Sequence, residues 1–182
     1  MTVETTHIEG CVIITPRIIS DDRGYFFESF NKKAFEKETG IEVNFVQDNQ
    51  SKSNRGVLRG LHFQTGDYKQ AKLVRVVKGK VLDVCVDLRP DSPTFKEHFS
   101  IILDDQENKQ LFIPRGFAHG FLVLDDDTIF NYKCDQYYHK DAEAGIIYND
   151  PTFNIDWNFP EDQFILSEKD RSLPTFDQFF KV

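Results

Sequence analysis

Long apolar runs are missing from this 182-residue chain. None approaches the roughly 18 uninterrupted apolar residues of a membrane-spanning helix, so no helical bilayer crossing is expected. Met1–Gly10 is polar and lacks the apolar core of a secretory leader. Cysteine is scarce as well. Cys11, Cys85 and Cys134 are odd in number and have no metal-type spacing, which argues against a disulfide framework and for a reduced, cytoplasmic setting. Cys85 lies in an apolar run and is expected as a small buried thiol. Positive charge is in deficit, and the net −8 argues against non-specific nucleic-acid binding.

Aromatics are plentiful, with 18 Phe and 6 Tyr, so the core and any pocket should be strongly aromatic. The few cations are unevenly spread. Residues 51–80 hold Lys52, Arg55, Arg59, Lys69, Lys72, Arg75, Lys78 and Lys80 against the single acid Asp67. A basic strip in an acidic protein suits a small anionic ligand such as a diphosphate. Its ordinary alternative is a solvated face of strands, the preferred reading for Lys78 and Lys80.

Short runs rich in Val, Ile, Phe and Tyr predict strands over Cys11–Ile19, Tyr25–Phe30, Val43–Gln47, Val57–Phe63, Ala71–Val77, Val81–Leu88, Phe95–Leu103, Gln110–Ile113, Phe117–Leu124 and Thr128–Cys134. Turn signals separate them. One helix is predicted at Lys32–Thr39, with Asn31 as N-cap and Gly40 as stop. After about residue 138 the pattern fades into loops with short helical turns such as Glu161–Ile165. The expectation is one all-β domain over residues 1–182, a sandwich or small barrel.

Arg55–Gln64, Arg-Gly-Val-Leu-Arg-Gly-Leu-His-Phe-Gln, places His62 in a strand behind two arginines and two glycines. A neutral imidazole there can move a proton near neutral pH. Regular alternation puts Leu58, Gly60, His62 and Gln64 on one face and Arg59 on the other, unless Gly60 permits a bulge. Lys72 and Tyr132, on later strands, are able to converge with His62 inside a barrel. Taken singly these residues have plain alternatives: a hydrogen-bonded core histidine, a lysine snorkelling at a rim, a core tyrosine. The Ser167–Arg171 stretch reads alone as an exposed charge run. Pro114-Arg-Gly-Phe-Ala-His119 resembles the second signature of the cupin superfamily, whose histidine often binds metal. The first cupin signature carries His-x-His, and here Gln64 stands at the second position, which leaves a poor ligand set.

Together with Asp22-Arg-Gly-Tyr-Phe26, Phe45-Val-Gln-Asp-Asn49 and Ser167-Glu-Lys-Asp170, these motifs resemble the dTDP-4-dehydrorhamnose 3,5-epimerase family of the cupin superfamily, in order from about residue 5 to 175. The resemblance implies a cupin-type jelly-roll β-barrel with a few short peripheral helices, a homodimer, and neither metal nor organic cofactor. It implies a dTDP-4-keto-6-deoxy sugar as substrate, with inversion on both sides of the keto group. Carried over by position, His62 is the base, Asp170 its orienting partner, Lys72 the enolate stabiliser and Tyr132 the acid on the opposite face. Gln47, Asp48, Asn49, Arg59, Lys72, His119, Glu143 and Lys169 would contact substrate, and Tyr138 would stack on thymine. Arg23 and Glu28 would reach the partner's site. Rival readings are a relative that inverts one carbon only, a cupin metalloenzyme, and a non-catalytic sugar-nucleotide binder.

Overall fold

The computed structural model describes residues 1–181, and its strands are β1 (Thr2–Thr5), β2 (Val12–Thr15), β3 (Ile19–Asp21), β4 (Gly24–Phe26), β5 (Gln47–Ser53), β6 (Leu58–Gln64), β7 (Lys72–Lys78), β8 (Lys80–Asp87), β9 (His98–Asp104), β10 (Gln110–Ile113), β11 (Phe117–Val123), β12 (Thr128–Cys134) and β13 (Glu143–Gly145). All their ladders are antiparallel. A six-stranded sheet, β1-β2-β10-β7-β12-β5, faces a five-stranded sheet, β13-β6-β11-β8-β9, and β3-β4 form a separate hairpin. This is the cupin jelly roll that the family resemblance implies.

Alternation on β8 and β11 explains the architecture. Val81 and Cys85, with Phe117, Phe121 and Val123, point between the sheets and pack on Val74, Val76 and Phe130 of the facing sheet. Leu82, Val84, Val86, Ala118 and Leu122 point the other way, beneath a cover that includes Phe153, Trp157, Phe164 and Phe176 from the C-terminal tail. Both faces are therefore dry, which is why β8 reads as a nearly continuous apolar run. Each such side chain, fully buried, contributes on the order of 1.5–3 kcal/mol. The tail is expected as loops but docks closely. Ile165 pairs with the chain just ahead of β6, accepting from Leu58 N–H at 3.1 Å and donating to Gly56 at 2.8 Å.

The helix α1 spans Lys32–Thr39 as predicted: Asn31 accepts from Ala34 N–H at 3.2 Å, and Gly40 at φ 71° ends it. Its Phe35 packs with Val12, Val43 and Phe112 on the outer face of the six-stranded sheet. Two further helices, α2 (Glu168–Arg171) and α3 (Phe176–Phe180), sit in the tail. The turn expected at Glu161–Ile165 is a 3-10 turn over Glu161–Gln163.

Several boundaries need correction. The strand expected at Val43–Gln47 begins only at Gln47 and runs through the polar Gln-Asp-Asn-Gln-Ser-Lys-Ser. Val43 instead packs against α1 as part of a core loop. Cys11–Ile19 is broken after Thr15 at Pro16, whose missing N–H cannot extend the ladder. The strands expected at Tyr25–Phe30 and Phe95–Leu103 cover Gly24–Phe26 and His98–Asp104, and β1 and β13 were not anticipated.

Candidate active site

Two hollows meet between the sheets. The outer one, about 280 Å³, is lined by Gln47, Asn49, Gln64, Gln70, Tyr138 and Glu143, and the inner one, about 150 Å³, by Ser51, Arg59, His119 and Phe121. His62, Lys72 and Tyr132 line both and so stand at the junction. His62 comes from the five-stranded sheet, whereas Lys72 and Tyr132 come from the six-stranded one. The convergence expected from alternation is present.

His62 Nε2 lies 2.5 Å from Asp170 Oδ1. Asp170 reaches it from α2, where Ser167 accepts from Asp170 N–H at 3.1 Å and donates to Asp170 Oδ2 at 2.7 Å. The charge run of the sequence thus hides a carboxylate that is only 4% exposed. Burial pushes the Asp170 carboxyl up, but hydrogen bonds from His62 and Ser167 outweigh it and hold it below the usual carboxylate range. An ionised Asp170 favours the tautomer with the ring proton on Nε2, which leaves the Nδ1 lone pair able to accept a proton.

Opposite, burial pushes the Tyr132 phenol up, so it keeps its proton at neutral pH and has one to donate. Burial also lowers the Lys72 ammonium from the usual lysine value. Its Nζ lies 5.7 Å from the centre of the Tyr132 ring. Phe121 and Phe130, stacked with centroids 4.1 Å apart, form an apolar floor between the sheets.

Regular alternation does not hold along β6. His62 pairs with His119 and Arg59 with Phe121, so the register slips between them. Leu58 and Leu61 face the tail, and Arg59 joins His62 in the inner hollow. Gly60 makes this possible. Its φ is +126°, and a Cβ there would lie 2.5 Å from Gly120 Cα and 2.8 Å from the His119 carbonyl oxygen. Arg59 is steadied by Ser53 Oγ, 3.1 Å from its Nη2.

His119 is in the inner hollow and bonds through Nε2 to Asp83, 2.9 Å from Oδ2. Burial lowers its imidazole, with Asp83 opposing. Asp83, fully buried, escaped the sequence reading because it sits inside an apolar strand. Its signal was that position: a carboxylate in a dry strand needs a buried partner. Ser51 Oγ was missed too, and it lies buried in the inner hollow with no hydrogen-bond partner. The Nε2 atoms of both histidines are engaged by carboxylates, and no ligand set of three His, Cys, Asp or Glu side chains converges among the described residues.

At the mouth, Glu143 Oε1 lies 2.6 Å from Lys169 Nζ, and Tyr138 donates to Glu143 Oε2 at 3.0 Å. Gln47 and Asn49 face the hollow, but Asp48 alternates outward and pairs with Lys133 at 2.8 Å. Arg23 and Glu28 are not at this chain's cavity. Arg23 sits at the tip of the β3-β4 hairpin, bonded to Asp21, and Glu28 accepts from Asn31 at 3.1 Å beside a separate groove.

Residues 5–178 match the family model described as dTDP-4-dehydrorhamnose 3,5-epimerase. The enzyme of that name from Escherichia coli K12 is 50% identical over 183 residues, which covers 100% of this chain and 98% of the relative. The crystal structure of the Elizabethkingia anophelis enzyme of the same name superposes with a TM-score of 0.94 at 48% identity, covering 98% and 97% of the two chains. The Legionella pneumophila enzyme RmlC, solved in complex with dTDP-4-keto-L-rhamnose, superposes at 0.92 with 47% identity, covering 96% and 92%. The chain belongs to the dTDP-4-dehydrorhamnose 3,5-epimerase family.

Proposed function

We propose that this chain converts dTDP-4-dehydro-6-deoxy-D-glucose to dTDP-4-dehydro-L-rhamnose by proton transfer at C3 and C5, a step of dTDP-L-rhamnose biosynthesis. The observation that carries it is the His62–Asp170 pair on one wall of a cleft whose other wall presents Tyr132 and Lys72. A ketone at C4 acidifies the hydrogens on both neighbouring carbons, because the carbanion left behind is delocalised onto oxygen. His62 Nδ1 takes the proton, and the Asp170 carboxylate stabilises the imidazolium. Lys72 offers its ammonium to the enolate oxygen, where charge develops. Tyr132 returns a proton from the other face, and that change of face is the inversion. The ketone itself is the electron sink, so this chemistry calls for neither metal nor cofactor.

Tyr138 stacks on the thymine ring, with Arg59, His119, Lys169 and Glu143 around the diphosphate and sugar, and the side chains of Gln47 and Asn49 along β5; the Asp48 carboxylate, turned outward to Lys133, is left out of this set. The active species is a homodimer in which Arg23 and Glu28 serve the partner's cavity. In support, the hairpin leaves Ile19, Tyr25 and Phe26 more than half exposed, a costly surface for a monomer. A cytoplasmic location fits three buried, unbridged cysteines. The test is incubation with dTDP-4-keto-6-deoxyglucose in deuterated water, followed by NMR of the product. Deuterium and inverted configuration at both C3 and C5 are expected. Label and inversion at one carbon alone would make it a single-centre epimerase.

A further inference from the structure

Three glutamine side chains grip the backbone of four consecutive residues, 136–139, at the cavity mouth. Gln70 donates to the Gln136 carbonyl at 2.8 Å. Gln64 donates to the carbonyls of Tyr68, at 2.9 Å, and Tyr137, at 3.4 Å, while its Oε1 accepts from His139 N–H at 2.7 Å. Gln47 Oε1 accepts from Tyr138 N–H at 3.0 Å. Loop backbone at a surface ordinarily bonds to water. Here it is tied to side chains rooted on β5, on β6 and just ahead of β7.

The rings on this segment are the opposite of fixed by packing. Tyr137 is 64% exposed and Tyr138 51% exposed, whereas the Gln64 that holds their backbone is only 6% exposed. Both ends of the Gln64 amide are already satisfied within the protein, which leaves it little to offer a ligand directly. What it supplies is a stationary base for a half-exposed ring that is otherwise held at its tip by the bond from its hydroxyl to Glu143. Preorganisation of this kind strengthens binding by removing an ordering cost from the binding step.

We infer that Gln64, braced by Gln70, is a positioning residue for the nucleotide half of the substrate: it holds residues 136–139 so that the Tyr138 ring meets the thymine already in place. This rests on the assignment of base stacking to Tyr138. The inference gives Gln64 a function at the position where a metal-binding relative would carry histidine.

The test compares wild type, Gln64→Leu, Tyr138→Ala and the double variant. Calorimetry gives the Kd for TDP alone, and steady-state kinetics give KM and kcat for dTDP-4-keto-6-deoxyglucose. Gln64→Leu is expected to weaken TDP binding about tenfold, the scale of one or two lost hydrogen bonds, and to raise KM more than it lowers kcat. The double variant should bind TDP no worse than Tyr138→Ala, because both changes remove one contact. Additive losses, or a fall in kcat with KM unchanged, would overturn the inference. A harmful Tyr138→Ala beside a harmless Gln64→Leu overturns it alone; a harmless Tyr138→Ala overturns it through the stacking assignment. Should Gln64→Leu not fold, Gln70→Ala, at a partly exposed site, carries the same expectation at about threefold and the same non-additivity.

Discussion

In the proposed mechanism His62 and Tyr132 divide one reaction between them, so their variants should fail differently. His62→Ala removes the base, and kcat is expected to fall by about 10²–10⁴-fold with loss of solvent deuterium uptake. Tyr132→Phe leaves the base intact and removes the proton on the far side. It should exchange substrate hydrogen with solvent while forming little inverted product. Full uptake in His62→Ala would end the assignment of the base, and unchanged product formation in Tyr132→Phe that of the acid. The sequence displayed these side chains unevenly. His62 stood out against its glycines and arginines, whereas Asp170 and Asp83 did not. A carboxylate's burial depends on what folds over it, and both partners here are more than 30 residues away in sequence.

At the level of elements, β6 depends on a crossing of two backbones. Gly60→Ala sets a methyl group against Gly120 and the His119 carbonyl, which are backbone and cannot step aside. It should cost roughly 1–3 kcal/mol in urea unfolding and also lower kcat/KM, because Arg59 and His62 lie on either side of the slip. A variant with wild-type stability and activity would show that the strands do not approach so closely. The strands with apolar alternation, and α1 with its caps, were legible because each carries its own signal. By contrast, β5 was not. It is the edge of its sheet, its inward residues Gln47, Asn49 and Ser51 face a polar cavity, and its outward ones face away from the core. No apolar periodicity survives on such a strand. In the tail, α2 has only four residues, too few to show a period, whereas α3 carries a Thr175–Gln178 capping box that marks its start in the sequence.

For the whole molecule, acid stability has an identifiable contributor remote from the reaction. Asp87 is fully buried, and although burial pushes its carboxyl up, bonds from Arg89, Ser92 and Thr94 hold it at about 2. Arg89 also reaches the Glu9 carbonyl at 2.8 Å and so fastens the N-terminal segment. The folded value lies below the unfolded one, near 3.9, so the stabilisation is complete above about pH 4 and fades as pH falls toward 2. Its size is on the order of 2 kcal/mol. Unfolding free energy measured from pH 5 to pH 2 should decline more steeply in wild type than in Asp87→Asn; equal slopes would assign the acid sensitivity elsewhere. The two sheets carry a different consequence. In the proposed mechanism deprotonation belongs to one sheet and reprotonation to the other, so a change in the separation of the sheets alters the second event more than the first. An enolate that waits too long for Tyr132 is quenched by the imidazolium that made it; where the ring proton has meanwhile exchanged with solvent, the sugar returns to its original configuration carrying solvent label. The ratio of labelled starting material to inverted product therefore works as a gauge of the gap between the sheets, readable from a reaction flask.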